Sequence, residues 1–76
     1  MKELVEQIAK ALVDNPDAVE VRLLEGEHVA VLELKVDKED IGKVIGKQGS
    51  HAQAIRTLLM AVSGKHNKKY TLEIID

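Results

Sequence analysis

Residues 41 to 57 read IGKVIGKQGSHAQAIRT. Within them Gly46, Lys47, Gln48 and Gly49 form a four-residue stretch bounded by glycines, followed directly by Ser50 and His51. Residue types in this order suit the capture of a phosphate. Glycines let a sugar-phosphate backbone approach the main chain closely. A helix starting just after them presents free N–H groups and a partial positive charge, and Lys47 adds a charge-assisted contact. By spacing alone, a helix–turn–helix corner that needs glycine for its angles fits equally well.

Other chemistries fit less well. The run from Gly42 to Lys47 superficially matches a P-loop, but that motif needs four residues between its glycines and Ser or Thr after its lysine. Here Lys43, Val44 and Ile45 are the only residues between them, Gln48 follows Lys47, and no buried strand leads into the loop. His28, His51 and His66 are expected in different elements without close-spaced partners, which argues against a metal centre. Ser50 lacks the G-x-S-x-G setting of a nucleophile. No enzyme, metal or cofactor is expected, and His51 is expected to contact a phosphate or solvent.

Charge is distributed in a way that favours an anionic partner for one half of the chain. The net charge is −2, yet residues 1 to 40 carry five basic and eleven acidic groups, whereas residues 41 to 72 carry six basic groups and no acid. Such asymmetry predicts an anion-attracting face on an acidic body. With 76 residues and no cysteine, the chain can form one domain with a small core, expected over residues 1–76, unaided by disulfides or thiolate metal sites. The longest apolar run, Leu58 to Val62, is far too short for a membrane span. The early Glu3 and Glu6 also argue against a signal peptide. A cytoplasmic protein without a membrane partner is expected.

The elements that must position the glycine stretch follow from periodicity. Leu4, Val5, Ile8, Ala11 and Leu12 have amphipathic helical spacing, predicting a helix from Lys2 to Val13 that stops at Asp14-Asn15-Pro16-Asp17. Val19, Val21 and Leu23 alternate with polar residues as a strand does. After a turn at Glu25-Gly26-Glu27, Ala30, Leu32, Leu34 and Val36 alternate again, predicting an antiparallel hairpin. Asp37 suits an N-cap for a helix that carries Ile41, Val44 and Ile45 inward and ends at Gly46. Ser50 and Gln53 have capping-box spacing at the start of a second helix. Ile55, Leu58, Leu59 and Val62 form its stripe, and Gly64 is expected to stop it. Tyr70, Leu72 and Ile74 alternate as a last strand. The order is α-β-β-α-α-β. The two-helix crossover makes strands 29–36 and 69–75 parallel neighbours. An α+β fold results, a three-stranded mixed sheet with three helices on one face.

This order, together with Val-Ile before Gly46-Lys47-Gln48-Gly49 and Ile55 after it, resembles the K-homology (KH) domain of type II. GXXG by itself is a weak signal, but the match extends over the whole chain. The short length, the acidic first half and IGKQG…AIRT resemble the KhpA-type family of small bacterial KH proteins. The resemblance implies single-stranded RNA held by the GXXG loop and an aliphatic groove, for which Ile41, Val44, Ile45 and Ile55 are candidates. Lys43, Lys47, Arg56, Lys68 and Lys69 would follow the phosphates, with Ser50 and His51 beside the loop, and the last strand's backbone would read base edges. Tyr70 is the sole aromatic residue, so a stacking platform of several aromatics is excluded. Ala52 stands where many KH domains have a larger aliphatic residue, which implies a shallower groove floor.

The same resemblance implies an RNA chaperone or post-transcriptional regulator linked to cell shape and cell-wall synthesis. It also implies pairing as a homodimer or with a larger KH-containing partner of the KhpB type. The rival reading is a KH-fold protein-interaction module with weak or no RNA binding. An acid in place of Lys47 would have signalled it, and none is present.

Overall fold

The computed structural model describes residues 1–75 and, for His66, the backbone alone. Its elements follow the expected order: α1 (Lys2–Leu12), β1 (Glu20–Glu25), β2 (Val29–Lys35), α2 (Ile41–Ile45), α3 (Ser50–His66) and β3 (Lys69–Ile75). The sheet order is β1-β2-β3. β1 and β2 are antiparallel, pairing Val21 with Leu34 and Leu23 with Leu32. β2 and β3 are parallel, pairing Leu32 with Leu72 and Leu34 with Ile74. The chain is therefore an α+β protein with a three-stranded mixed sheet and three helices, the architecture of a KH fold.

Period-2 alternation decides which face of the sheet is covered. Ala30, Leu32 and Leu34 of β2 are fully buried, while Val29, Val31, Glu33 and Lys35 turn the other way. The covered face meets Val5 and Ala9 of α1, Val44 of α2, and Ile55 and Leu59 of α3 in one continuous core. α1 packs on β1 and α3 on β3, with α2 held against α3. In α1 the buried stripe is Val5 and Ala9, flanked by Ile8, whereas Leu4 and Ala11, assigned to it from spacing, are exposed. The stripe is rotated by part of a turn because a short helix buries only the face its neighbours cover.

Three local features differ from the expectations. Asp37 does cap, accepting the Glu39 N–H at 3.0 Å, but it caps a 3-10 turn over Lys38–Asp40 that precedes α2. Gly64 does not stop α3. The helix continues to His66 and ends at Asn67, a left-handed residue with φ 54°; asparagine adopts that conformation more readily than most side chains. His51 and His66 consequently belong to the same helix, not to different elements. Ser50, finally, is the first residue of α3 and not its cap. Gly49 occupies the cap position, and no side chain bonds the helix start.

Asp40 is the buried polar residue that fixes α2 to the rest of the molecule. Only 3% exposed, it accepts the Asn15 backbone N–H at 3.0 Å and the Lys43 ammonium at 3.5 Å. These bonds compensate a burial that would otherwise be costly. They tie the loop after α1 to the helix that leads into the glycine stretch.

Candidate nucleic-acid interface

α2 ends with Gly46 N–H donating to the Gly42 carbonyl at 2.9 Å, and Gly49 N–H then donates to Gly46 at 3.1 Å. Between them the chain makes one 3-10 turn, Lys47–Gly49. Positive φ recurs through it: 77° at Gly46, 56° at Gln48 and 77° at Gly49. Gly46 also has ψ 172°, a combination open essentially to glycine alone. A Cβ there would lie 2.6 Å from the His51 ring and 2.8 Å from its backbone nitrogen, whereas one on Gly49 would meet nothing. The turn throws Lys47 and Gln48 outward, and both are exposed.

The candidate residues divide by what already holds them. Lys43 is paired with Asp14 and with Asp40. The hydrogen bond to Asp14 is the main reason that its ammonium is held above the usual lysine pKa. Lys68 bonds Glu25 at 2.8 Å, which likewise raises the lysine and lowers the carboxylate. For Lys47, Arg56 and Lys69 no ion pair is found among the described residues. The Ser50 hydroxyl, exposed, makes no hydrogen bond among those residues. The His51 ring turns back over the loop, with Nδ1 2.7 Å from the Lys43 carbonyl.

A cleft of about 260 Å³ runs between α3 and β3, lined by Arg56, Met60 and Ser63 on the helix and by residues 69–72 on the strand. It differs from the aliphatic groove expected from the sequence. Val44 and Ile55 are 0% and 2% exposed, so they belong to the core and cannot line a cleft. Ile45, at 36%, is accessible next to Gly46, and Ala52 is buried. Met60, Ser63, Thr71 and Leu72 were not singled out as lining from the sequence. The spacing of Arg56, Met60 and Ser63, four residues and then three, is a helical stripe and was the available signal.

β3 is one of the sheet's two edges, and its backbone phase is set by one bond. Lys69 N–H donates to the His28 carbonyl at 2.9 Å, toward β2. Alternate residues, Tyr70, Leu72 and Ile74, therefore aim their N–H and C=O groups outward. Tyr70 N–H is taken by Ser63 Oγ at 2.8 Å. Leu72 is left as the outward-facing backbone pair inside the cleft. From Ser50 to Ser63 the helix rises about 20 Å, with the loop at its start and Arg56, Met60 and Ser63 on one face further along. Among the described residues no cluster of His, Asp or Glu could hold a metal ion, and no helix is long and apolar enough to cross a membrane.

A parallel β2–β3 pair joined through two helices with a glycine-bounded turn between them defines a KH domain. Residues 2–74 match the family model described as KhpA/KhpB, KH domain, and the chain belongs to that family. It is 61% identical over 75 residues to the RNA-binding protein KhpA of Caldanaerobacter subterraneus subsp. tengcongensis, covering 99% of this chain and 100% of that one. It is 60% identical to the protein of the same name from Clostridium perfringens, with the same coverage. Among solved structures it resembles Aquifex aeolicus Era bound to GDP.AlF4-, with TM-score 0.64 and 22% identity. Era in complex with MgGDPNP and a segment of 16S ribosomal RNA gives 0.60 and 24%. Each match covers 96% of this chain but 28% of the Era chain, and at such identity the likeness concerns the fold.

Proposed function

We propose that the chain is a single-stranded RNA-binding protein that clamps a short stretch of backbone with the Gly46–Gly49 loop and seats bases in the cleft between α3 and β3. The observation that carries this reading is the loop itself. Its positive-φ backbone thrusts Lys47, which makes no ion pair among the described residues, outward at the start of a helix that no side chain caps. The uncapped N–H groups and the helix dipole favour a phosphate there. Arg56 and Lys69 continue the cationic path along the cleft, and Leu72 offers a base one donor and one acceptor. Lys43 and Lys68, each already paired with a carboxylate, contribute by holding the rim in place more than by meeting phosphates.

The relatives' shared name, RNA-binding protein, supports the reading. A binding role and not an enzymatic one is part of it, as are a cytoplasmic location and self-pairing or pairing with a KhpB-type partner, which the family's joint name suggests. A chaperone or regulatory role bearing on cell shape and wall synthesis rests on the resemblance alone.

Replacing Lys47 and Gln48 together with Asp tests the site. Both side chains are exposed, and Asp tolerates the left-handed angles at position 48, so the fold should persist with stability changed by about 0.5 kcal/mol or less. At ~4 Å and an effective dielectric near 20, each misplaced charge opposes a phosphate by about 4 kcal/mol before salt screening. Gel shifts with single-stranded RNA should show binding abolished while the melting curve is kept. Retained affinity would remove the loop from the site.

A further inference from the structure

His51 stands immediately after the glycine stretch, and its Nδ1 is engaged within the protein. Its side chain reaches back eight residues to the Lys43 carbonyl at 2.7 Å. A carbonyl oxygen only accepts, so Nδ1 carries the proton and donates it. α2 ends at Ile45, which puts Lys43 in the last turn, where carbonyls run out of intrahelical donors. The imidazole supplies one. The same ring fills the space over Gly46, 2.6 Å from where a Cβ would stand. One side chain on the first turn of α3 thus bridges the loop, bonds the end of α2 and covers the glycine between them.

Resting on the proposed RNA-binding function, we infer that His51 is a positioning residue: it latches α2 to α3 across the loop and so holds Lys47 and Gln48 in the shape that receives a phosphate. Few other bonds restrain the turn, chiefly Gly46 N–H to Gly42 and Gly49 N–H to Gly46. A turn that holds Gly46 and Gln48 in sparsely populated backbone regions relaxes unless its surroundings over-determine it. An ordered loop presents its N–H groups without a further entropy cost on binding.

The test is a series at position 51, with alanine, asparagine and glutamine in turn. Asparagine places an N–H donor close to where Nδ1 sits, glutamine places it one bond farther out, and alanine removes it. Alanine is the strongest helix former, so its effect cannot come from a weakened α3. Two readouts are needed. The first is amide hydrogen exchange at Gly49 in the RNA-free protein, since that N–H is bonded inside the loop. The second is affinity for a short single-stranded RNA of mixed sequence. For His51→Ala, exchange should quicken and affinity fall by about tenfold each, the scale of one lost hydrogen bond. His51→Asn should restore both to within about twofold, and His51→Gln should not. Unchanged exchange at Gly49 in His51→Ala, or failure of asparagine to restore it, would overturn the latch. A wild-type protein that shows the exchange pattern but binds no RNA would instead overturn the functional reading and leave the latch standing.

Discussion

The Ser63 hydroxyl accepts the Tyr70 backbone N–H at 2.8 Å and donates its own proton to the Leu59 carbonyl at 2.8 Å. This pair of bonds joins the last turns of α3 to the start of β3, between two residues that line the cleft. Ser63→Ala removes both bonds, at a cost of ~1–2 kcal/mol. Ser63→Thr keeps the hydroxyl and should recover most of the loss. Urea unfolding of the two variants measures the difference.

Gly46 and Gly49 share φ 77° but not their surroundings. Gly49→Ala has room for its Cβ and meets only the left-handed penalty, about 1–2 kcal/mol. Asparagine at 49 should reduce that penalty. Gly46→Ala must in addition displace His51, so it should cost more than Gly49→Ala, and asparagine should not rescue it. Thermal melting of the four variants gives the ranking; equal costs at the two positions would contradict the close approach of His51.

Salt dependence distinguishes free cations from paired ones. With Lys47, Arg56 and Lys69 as the phosphate contacts, log K for single-stranded RNA should fall against log salt with a slope of about −2, from −0.7 per contact. Lys47→Ala should flatten that slope by ~0.7, whereas Lys43→Ala, which removes a partner of Asp14 and Asp40, should leave it nearly unchanged. Titrations at several salt concentrations read out both.

Stability in acid should depend on Asp37. Its carboxylate accepts the Glu39 backbone N–H and, more weakly, the Asn15 amide, and these bonds hold its pKa below the ordinary value. Glu25 is lowered by its bond to Lys68. A depressed carboxylate binds fewer protons folded than unfolded, so its stabilisation is present above an ordinary pKa of about 4 and is lost as pH falls through the lower folded value. Asp37→Asn keeps an oxygen for the cap but cannot titrate. Its melting temperature should fall less steeply than the wild type's below about pH 4.

The element order was legible because each strand alternates and each long helix has its own apolar stripe; Leu32, Leu34, Val44 and Leu59 are buried as their spacing implies. What escaped depends on distant partners or on single dihedral angles. The Lys43–Asp14 and Lys68–Glu25 pairs connect residues 29 and 43 apart in the chain, so local pattern could not show that two of the six clustered cations are already engaged. Ser50 and Gln53 have capping-box spacing, but the left-handed angles of Gly49 move the helix start by one residue and leave the hydroxyl out of reach. Gly64 looked like a stop because glycine so often is one. Asn67, three residues on, takes that part instead. The cleft combines a helix stripe with a strand edge, and only the folded chain juxtaposes them.

The parallel pairing of β2 with β3 also governs the order of assembly. The β1–β2 hairpin is local and can form early, on a microsecond scale, but its inner face is covered in full only when α2, α3 and β3 have joined α1. Residues 69–75 must be laid beside residues 29–35 before Leu72 can complete the core. A contact this remote in sequence is slow to close. Until then the edge of β2 that pairs with β3 presents unpaired backbone N–H and C=O groups, and the domain closes only once β3 is laid beside it.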